Sequence, residues 1–89
     1  MNLEELRIQI DNIDDQLTQL LEARMALVLQ IAEHKQTTGT AIRDNKREQI
    51  VLEKVASRVQ NPAYTDSIVN TYKDILKNSR DYQKHLLEK

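Results

Sequence analysis

The sequence predicts an all-α fold with three helices. Apolar residues recur every three or four positions over long stretches, which is the spacing of one helix face. Glycine and proline occur once each among the 89 residues, so the turn residues that β-hairpins need are nearly absent. Hydrophobic residues make up 39 % and aromatic residues 3 %, so the core has to be aliphatic. Residues 1–89 are predicted to form one domain.

The first predicted helix is the longest and runs from Leu3 to about Gln36. Its apolar residues keep their spacing without an interrupting glycine or proline. A helix of that length spans roughly 50 Å. A break is predicted at residues 37–40, because Gly39 suits a helix C-terminus and the threonines around it disfavour helical continuation.

The second predicted helix is short and the third is of medium length. Asp44 is the predicted N-cap of the second helix, whose apolar residues extend to Val59. Asn61 followed by Pro62 gives a cap residue and a first-turn proline. The third helix is therefore predicted from about Pro62 to Leu87.

The length of the first helix also predicts the oligomeric state. Its apolar stripe runs nearly end to end, and two shorter helices offer too little surface to cover roughly 50 Å of it. A single chain would leave a long hydrophobic strip in water. We therefore expect an intertwined homodimer in which the long helices pair.

Composition narrows the classes of function and location. The net charge of -1 argues against a nucleic-acid binder that relies on overall positive charge. Cysteine is absent, which rules out thiolate chemistry and fits a reducing compartment. No apolar run is long enough for a membrane span, so a cytoplasmic protein is expected. Neither a metal-ligand spacing nor a phosphate-binding glycine loop occurs, so no metal site is predicted.

Polar residues occupy positions on two predicted helix faces that are otherwise apolar. Arg24 continues the stripe of the first helix, and Ser79 and Gln83 continue that of the third. A cation on a core face costs several kcal/mol of desolvation unless an anion meets it. The sequence therefore predicts a polar pocket inside a helical core.

Further charged residues fall near the same place. Lys35 points within about 20° of the direction of Arg24, about 16 Å along the helix, so the pair could hold the ends of a small dianion. Arg47 and Glu48 would add a cation and an acceptor for a hydroxyl group. Arg7 is about 25 Å of helix rise away from Arg24, so it could reach this pocket only from the partner of an antiparallel dimer.

Ordinary structural roles compete with these interpretations. Arg7 could equally form a surface ion pair with Glu4 or Asp11. Ser79 could be a small residue at a helix crossing, and Gln83 could bridge two helices. Spacing alone leaves these alternatives open.

Six motifs occur in a fixed order along nearly the whole chain. They are Leu6-Arg7, Ile13-Asp14-Asp15-Gln16-Leu17, Leu20-Leu21-Glu22-Ala23-Arg24, Lys35, Arg43-Asp44-x-x-Arg47-Glu48 and Ser79-x-x-x-Gln83. Each is weak alone, but together they resemble the all-helical (type II) chorismate mutases in their monofunctional bacterial form. The resemblance implies the Claisen rearrangement of chorismate to prephenate in the shikimate pathway, without a cofactor or covalent intermediate.

The resemblance also implies a role for each residue. Arg24 and Arg7 of the partner subunit would bind the two substrate carboxylates, with Ser79 near the ring carboxylate. Lys35 and Gln83 would donate hydrogen bonds to the ether oxygen. Glu48 and backbone groups around Asp44 and Arg47 would hold the ring hydroxyl. The Arg47 side chain would add positive charge.

Two alternative functions remain open at this point. A related isochorismate pyruvate-lyase would use the same pocket, although the connection at residues 37–42 tends to be shorter in those enzymes. A non-catalytic helical dimerisation or chorismate-sensing module would need no turnover. The 89 residues are expected to leave no room for a fused domain, so feedback control would be either absent or supplied by a separate regulatory enzyme partner.

Overall fold

The computed structural model describes residues 2–39 and 41–87. The described residues form the helices α1 (Leu3–Thr38), α2 (Asn45–Arg58) and α3 (Thr65–Leu87), with one 3-10 turn at Pro62–Tyr64. They contain no strand, so the predicted all-α class with one long, one short and one medium helix is confirmed. Thr40 of the predicted break and both ends of the predicted domain lie outside the described residues.

Local signals set both ends of α1. The Asn2 side chain accepts a hydrogen bond from the Glu5 backbone at 2.8 Å, and the Glu5 carboxylate accepts one from the Asn2 backbone at 3.4 Å. At the other end Gly39 has a φ of 72°, and its N–H donates to the Lys35 carbonyl. The helix reaches Thr38, two residues further than predicted, and ends where Gly39 adopts the left-handed conformation. The hydroxyls of Thr37 and Thr38 donate to carbonyls of the preceding turn, so neither is left without a partner in the last turn.

The starts of the other helices follow the predicted caps, with one difference. Asp44 caps α2, and its carboxylate accepts a hydrogen bond from the Arg47 backbone at 3.0 Å. Asn61 caps the Ala63 backbone at 3.0 Å, and the Tyr64 N–H donates to the Asn61 carbonyl at 3.0 Å. This three-residue spacing makes a 3-10 turn, so α3 begins three residues later than predicted.

Helix α3 packs against both other helices and organises the core. The buried apolar side chains are Val28 and Ala32 of α1, Val55 of α2 and Leu76 of α3. Ser79 and Gln83 lie in the same layer with only 5 % and 7 % of their surface exposed, which confirms that polar residues occupy the core face of this helix. The core therefore lies around the C-terminal half of α1.

The N-terminal half of α1 lies outside this core. The chain extends over 54 × 26 × 15 Å with a radius of gyration of 16.1 Å, against about 12 Å for a compact domain of this length. Residues 3–20 carry an exposed apolar row, each member 43–68 % exposed: Leu3, Leu6, Ile10, Ile13, Leu17 and Leu20. The predicted stripe is thus covered only in part within one chain. No helix of the described residues is long and apolar enough to cross a membrane.

Candidate active site

A pocket of about 230 Å³ lies between the C-terminal half of α1, the start of α2 and the second half of α3. Seven of the eight predicted site residues line it: Arg24, Lys35, Asp44, Arg47, Glu48, Ser79 and Gln83. The other lining residues are Arg80 and the apolar Val28, Ile31, Ile42, Val51 and Leu76. The geometry therefore brings together residues that are up to 59 positions apart in the sequence.

Arg7 is the predicted site residue that the chain does not bring to this pocket. It lies exposed on the N-terminal half of α1, about 25 Å of helix rise from Arg24. Within the described residues no ion pair joins it to Glu4 or Asp11. The surface ion pair considered from the sequence is therefore not formed in a single chain.

Arg24 is held in place by two contacts from α3. Its Nη1 donates to Ser79 Oγ at 2.9 Å, and its guanidinium carbon lies 5.6 Å from the centroid of the Tyr72 ring. The Ser79 hydroxyl in turn donates to the Ile75 carbonyl at 2.9 Å. Cation–π contact and hydrogen bond together fix the direction of the guanidinium, which keeps further N–H donors for an anion.

Lys35 joins the last turn of α1 to the connection before α2. Its Nζ donates to the Ile42 carbonyl at 2.5 Å. Because an ammonium group has several N–H donors, this bond positions Lys35 without exhausting its donors. Val28 and Ile31 lie between Arg24 and Lys35 on the lining of the pocket, which is the apolar floor that helical spacing predicts.

Gln83 is the most deeply buried amide of the pocket. Its Nε2 donates to the Ser79 carbonyl of its own helix at 3.3 Å, so the amide does not bridge two helices. Its Oε1 is buried and lacks a hydrogen-bond partner, alone among the side-chain atoms of the described residues. Since Oε1 can only accept, the donor that this amide can offer a ligand is the second N–H of Nε2.

The start of α2 supplies a carboxylate whose partner the sequence did not reveal. Glu48 Oε1 accepts a hydrogen bond from Arg80 Nη1 of α3 at 2.5 Å, and both side chains are about one-fifth exposed, at 19 % and 21 %. The two residues are 32 positions apart, so no local spacing connects them. One available signal was that Arg80 follows the core residue Leu76 by four positions and so shares its face.

Asp44 and Arg47 stand at the mouth of the pocket. Both are exposed and line the pocket. The Asp44 carboxylate accepts the Arg47 backbone N–H at 3.0 Å. This N–H is therefore engaged in the helix cap, and the role expected for the other backbone groups around Asp44 and Arg47 stays a prediction.

The pocket carries an excess of positive charge. Four cations line it, Arg24, Lys35, Arg47 and Arg80, against two carboxylates, Asp44 and Glu48. An excess of two positive charges in a cleft with apolar walls favours a small dianion. Among the described residues, no cluster of three histidine, aspartate or glutamate side chains is placed to hold a metal ion.

Comparison with known protein families identifies the family of this chain. The profile of the family described as chorismate mutase type II matches residues 6–84. The chain belongs to this family. Every predicted site residue, including Arg7, lies within the matched range. The resemblance of the six motifs to the type II chorismate mutase family is therefore confirmed.

Individual relatives of this chain differ in length. The chain is 42 % identical over 84 residues to a bifunctional chorismate mutase/prephenate dehydratase of Buchnera aphidicola subsp. Schizaphis graminum, which covers 93 % of this chain and 22 % of that protein. It is 26 % identical over 87 residues to a chorismate mutase of Methanocaldococcus jannaschii, covering 97 % and 88 % respectively. The chain thus spans about one-fifth of the first relative and most of the second.

Proposed function

We propose that this chain is an isomerase that converts chorismate to prephenate in aromatic amino-acid biosynthesis. The observation that carries the proposal is the convergence of Arg24, Lys35 and Gln83 on one cationic pocket, in a chain of the chorismate mutase family. Chorismate is a small dianion with an apolar ring, which matches the excess charge and the apolar floor of the pocket.

The reaction depends on positioning and electrostatics. A [3,3] rearrangement transfers no proton, so a general base has nothing to do. The substrate has to adopt a compact chair-like conformer, which clamps on its two carboxylates favour. As the C–O bond breaks ahead of C–C bond formation, negative charge grows on the ether oxygen. Donors directed at that oxygen therefore stabilise the transition state more than the ground state.

Arg24, Lys35 and Gln83 are suited to these two tasks. Arg24 is held against Ser79 and Tyr72 and binds one carboxylate with its remaining donors. Lys35 and Gln83 donate to the ether oxygen, because each has an N–H beyond the one bound to a backbone carbonyl. Both donors are fixed before the substrate arrives, so little reorganisation accompanies the growth of charge.

The α2 residues are suited to bind the ring hydroxyl and to shape the mouth of the pocket. Glu48 accepts the hydroxyl hydrogen, and the Arg47 side chain adds positive charge at the entrance. Asp44 acts through the helix cap, since its carboxylate is bound to a backbone N–H. These roles rest on the lining of the pocket and on the family.

We further propose a homodimer in which the partner's Arg7 binds the second carboxylate. Two observations support it: the uncovered apolar row of residues 3–20, and the separation of about 25 Å between Arg7 and Arg24 along one helix. Both are explained if the N-terminal half of α1 packs beside a second copy. Light scattering should give twice the 10.4 kDa of one chain, and a monomer of full activity would contradict the shared site.

The test of the function is turnover of purified protein. Chorismate and isochorismate are offered separately, the loss of chorismate's diene absorbance is followed, and the products are identified. Prephenate from chorismate supports the proposal. Pyruvate released from isochorismate alone would identify a lyase, and binding of chorismate without turnover would identify a sensing module. The cytoplasmic location and a separate regulatory partner stay predictions.

A further inference from the structure

The ion pair between Arg80 and Glu48 is part of the pocket but has no place in the mechanism so far. Arg80 Nη1 donates to Glu48 Oε1 at 2.5 Å, and the pair joins α3 to α2. Exposed ion pairs contribute little to stability, about 0–1 kcal/mol. This pair differs because both side chains are about one-fifth exposed, at 21 % and 19 %, and line the wall of the active-site pocket.

The two carboxylate oxygens of Glu48 have different surroundings. Oε1 is bound to Arg80, whereas Oε2 has no hydrogen-bond partner within the described residues. A carboxylate can accept from two sides at once, so binding at Oε1 leaves Oε2 as the acceptor for a ligand. The guanidinium thereby fixes which oxygen is available.

The charge of the pair matters as much as its geometry. Glu48 is a negative group on the wall of a pocket that suits a dianion, and alone it would repel that ligand. Arg80 compensates this charge at hydrogen-bond distance. Arg80 also lines the adjoining groove beside Lys77 and Lys84, so it stands between the pocket and a second basic surface.

We propose that Arg80 is a positioning residue for substrate recognition. It holds Glu48 by Oε1, so that Oε2 accepts the ring hydroxyl of chorismate, and it neutralises Glu48 so that the dianion can bind. The inference rests on the proposed function, because it names the residue that orients the hydroxyl acceptor of the same site. Arg80 itself need not touch the substrate.

The experiment compares two substrates and four proteins. Wild type, Arg80→Leu, Arg80→Lys and the control Lys77→Leu are assayed with chorismate and with a chorismate analogue that lacks the ring hydroxyl. Lys77 is a matched cation on the same helix, paired with Asp81 at 3.0 Å but 64 % exposed. Circular dichroism of each variant checks that the helical content is unchanged.

The expected result is a loss that depends on the substrate hydroxyl. Arg80→Leu should lower kcat/KM for chorismate roughly tenfold, mainly through KM, because a hydrogen bond to a charged group is lost. Arg80→Lys should recover part of the lost activity, because lysine restores the positive charge but not the planar guanidinium group. With the analogue, Arg80→Leu should lower kcat/KM less than with chorismate, since the analogue has no hydroxyl for Glu48 to accept. Lys77→Leu should match wild type with both substrates.

Two results would overturn the inference, and a fifth protein, Glu48→Gln, separates the role of Arg80 from that of the site. An equal loss on both substrates would show that Arg80 does not position the acceptor of the ring hydroxyl. No loss on either substrate would remove it from recognition altogether. If Glu48→Gln loses activity on chorismate while Arg80→Leu does not, the site stands and only the role of Arg80 falls. Absence of turnover in wild type would overturn the proposed function itself.

Discussion

The two halves of α1 have the same helical geometry and opposite surroundings. Residues 21–38 pack on α3, bury Val28 and Ala32, and carry Arg24 and Lys35 into the pocket. Residues 3–20 have an unbroken apolar row of their own, yet every side chain of that segment is exposed in one chain. One half of the helix is therefore packed against its own chain, and the other half is not.

This difference explains why one site residue is missing from the pocket. Arg7 belongs to the uncovered half, whereas the other seven site residues belong to the part of the chain that packs. Arg7 lies beside the exposed apolar row, so a second copy that covered this row, as proposed, would also meet Arg7. The following changes test the two halves separately, from the largest expected effect to the smallest.

The largest effect is expected from a charge placed on the apolar row of the uncovered half. Ile10→Lys removes burial worth about 1.5–3 kcal/mol and does so twice in a symmetric dimer, so the Kd of the dimer should rise roughly 10²- to 10⁴-fold. Sedimentation equilibrium measures this Kd. Ile8→Lys is the matched control, because Ile8 and Ile10 are both 55 % exposed but lie about 200° apart around the helix. Equal effects of the two changes would contradict the proposed pairing.

In the covered half, Lys35→Ala should abolish a donor to the ether oxygen. We expect kcat to fall about 100- to 1000-fold with a smaller change in KM, because the lost interaction strengthens in the transition state. Steady-state kinetics on chorismate measure both constants. Lys46→Ala, which removes an exposed lysine outside the pocket, should leave them unchanged. A loss confined to KM would remove Lys35 from transition-state stabilisation.

Gln83→Glu should make activity depend on acid. Only a protonated carboxyl can donate a hydrogen bond, so activity should fall about tenfold per pH unit once the pH exceeds the pKa of the new side chain. A pH profile of kcat/KM measures this against wild type. Gln83→Met, which cannot donate at any pH, should be weak throughout. A flat profile for the glutamate variant would exclude Gln83 as the donor.

Mixing variants of the two halves tests whether they serve different chains. Arg7→Ala and Lys35→Ala should each be nearly inactive alone. After the two are unfolded and refolded together, half of the dimers are mixed and each mixed dimer has one intact site, so about one-quarter of wild-type activity should return. Activity per chain measures the recovery. If none returns, Arg7 and Lys35 do not serve one site from two chains.

The smallest effects concern the two ends of α1. Gly39→Ala should cost about 1–2 kcal/mol in the free energy of unfolding, because a φ of 72° disfavours any residue with a Cβ. Asn2→Ala, which removes the cap at the uncovered end, should cost about 1 kcal/mol. Urea unfolding measures both. A larger loss at Asn2 than at Gly39 would mean that the uncovered end contributes more to stability than its surroundings indicate.

Much of the fold could be predicted because its signals are local. The cap at Asp44, the pair Asn61-Pro62 and the left-handed position at Gly39 act within one turn of the chain. Helical periodicity likewise placed Arg24 on the pocket and Ser79 in the core. The extent of α1 was underestimated by two residues, because the weak helix propensity of the threonines suggested an earlier end, whereas the helix continues to the left-handed Gly39.

The rest of the site could not be predicted because it depends on packing between helices. Periodicity gives the direction of a side chain on its own helix, but it does not give the partner on another. Arg80 meets Glu48 across two helices, and Lys35 meets a carbonyl of the following connection. The cap of Asp44 on Arg47 was predicted, yet its consequence, an engaged backbone N–H at the pocket, became clear only with the geometry.

The uncovered segment of α1 also has a consequence for how the protein is made. The core around Val28, Val55 and Leu76 lies within one chain, whereas in the proposed homodimer residues 3–20 would be buried only on encounter with another copy. The last stage of folding is then second order, and its half-time shortens in proportion to chain concentration. A newly synthesised chain would then fold its own core first, and would bury residues 3–20 only once the chain concentration was high enough for dimers to form.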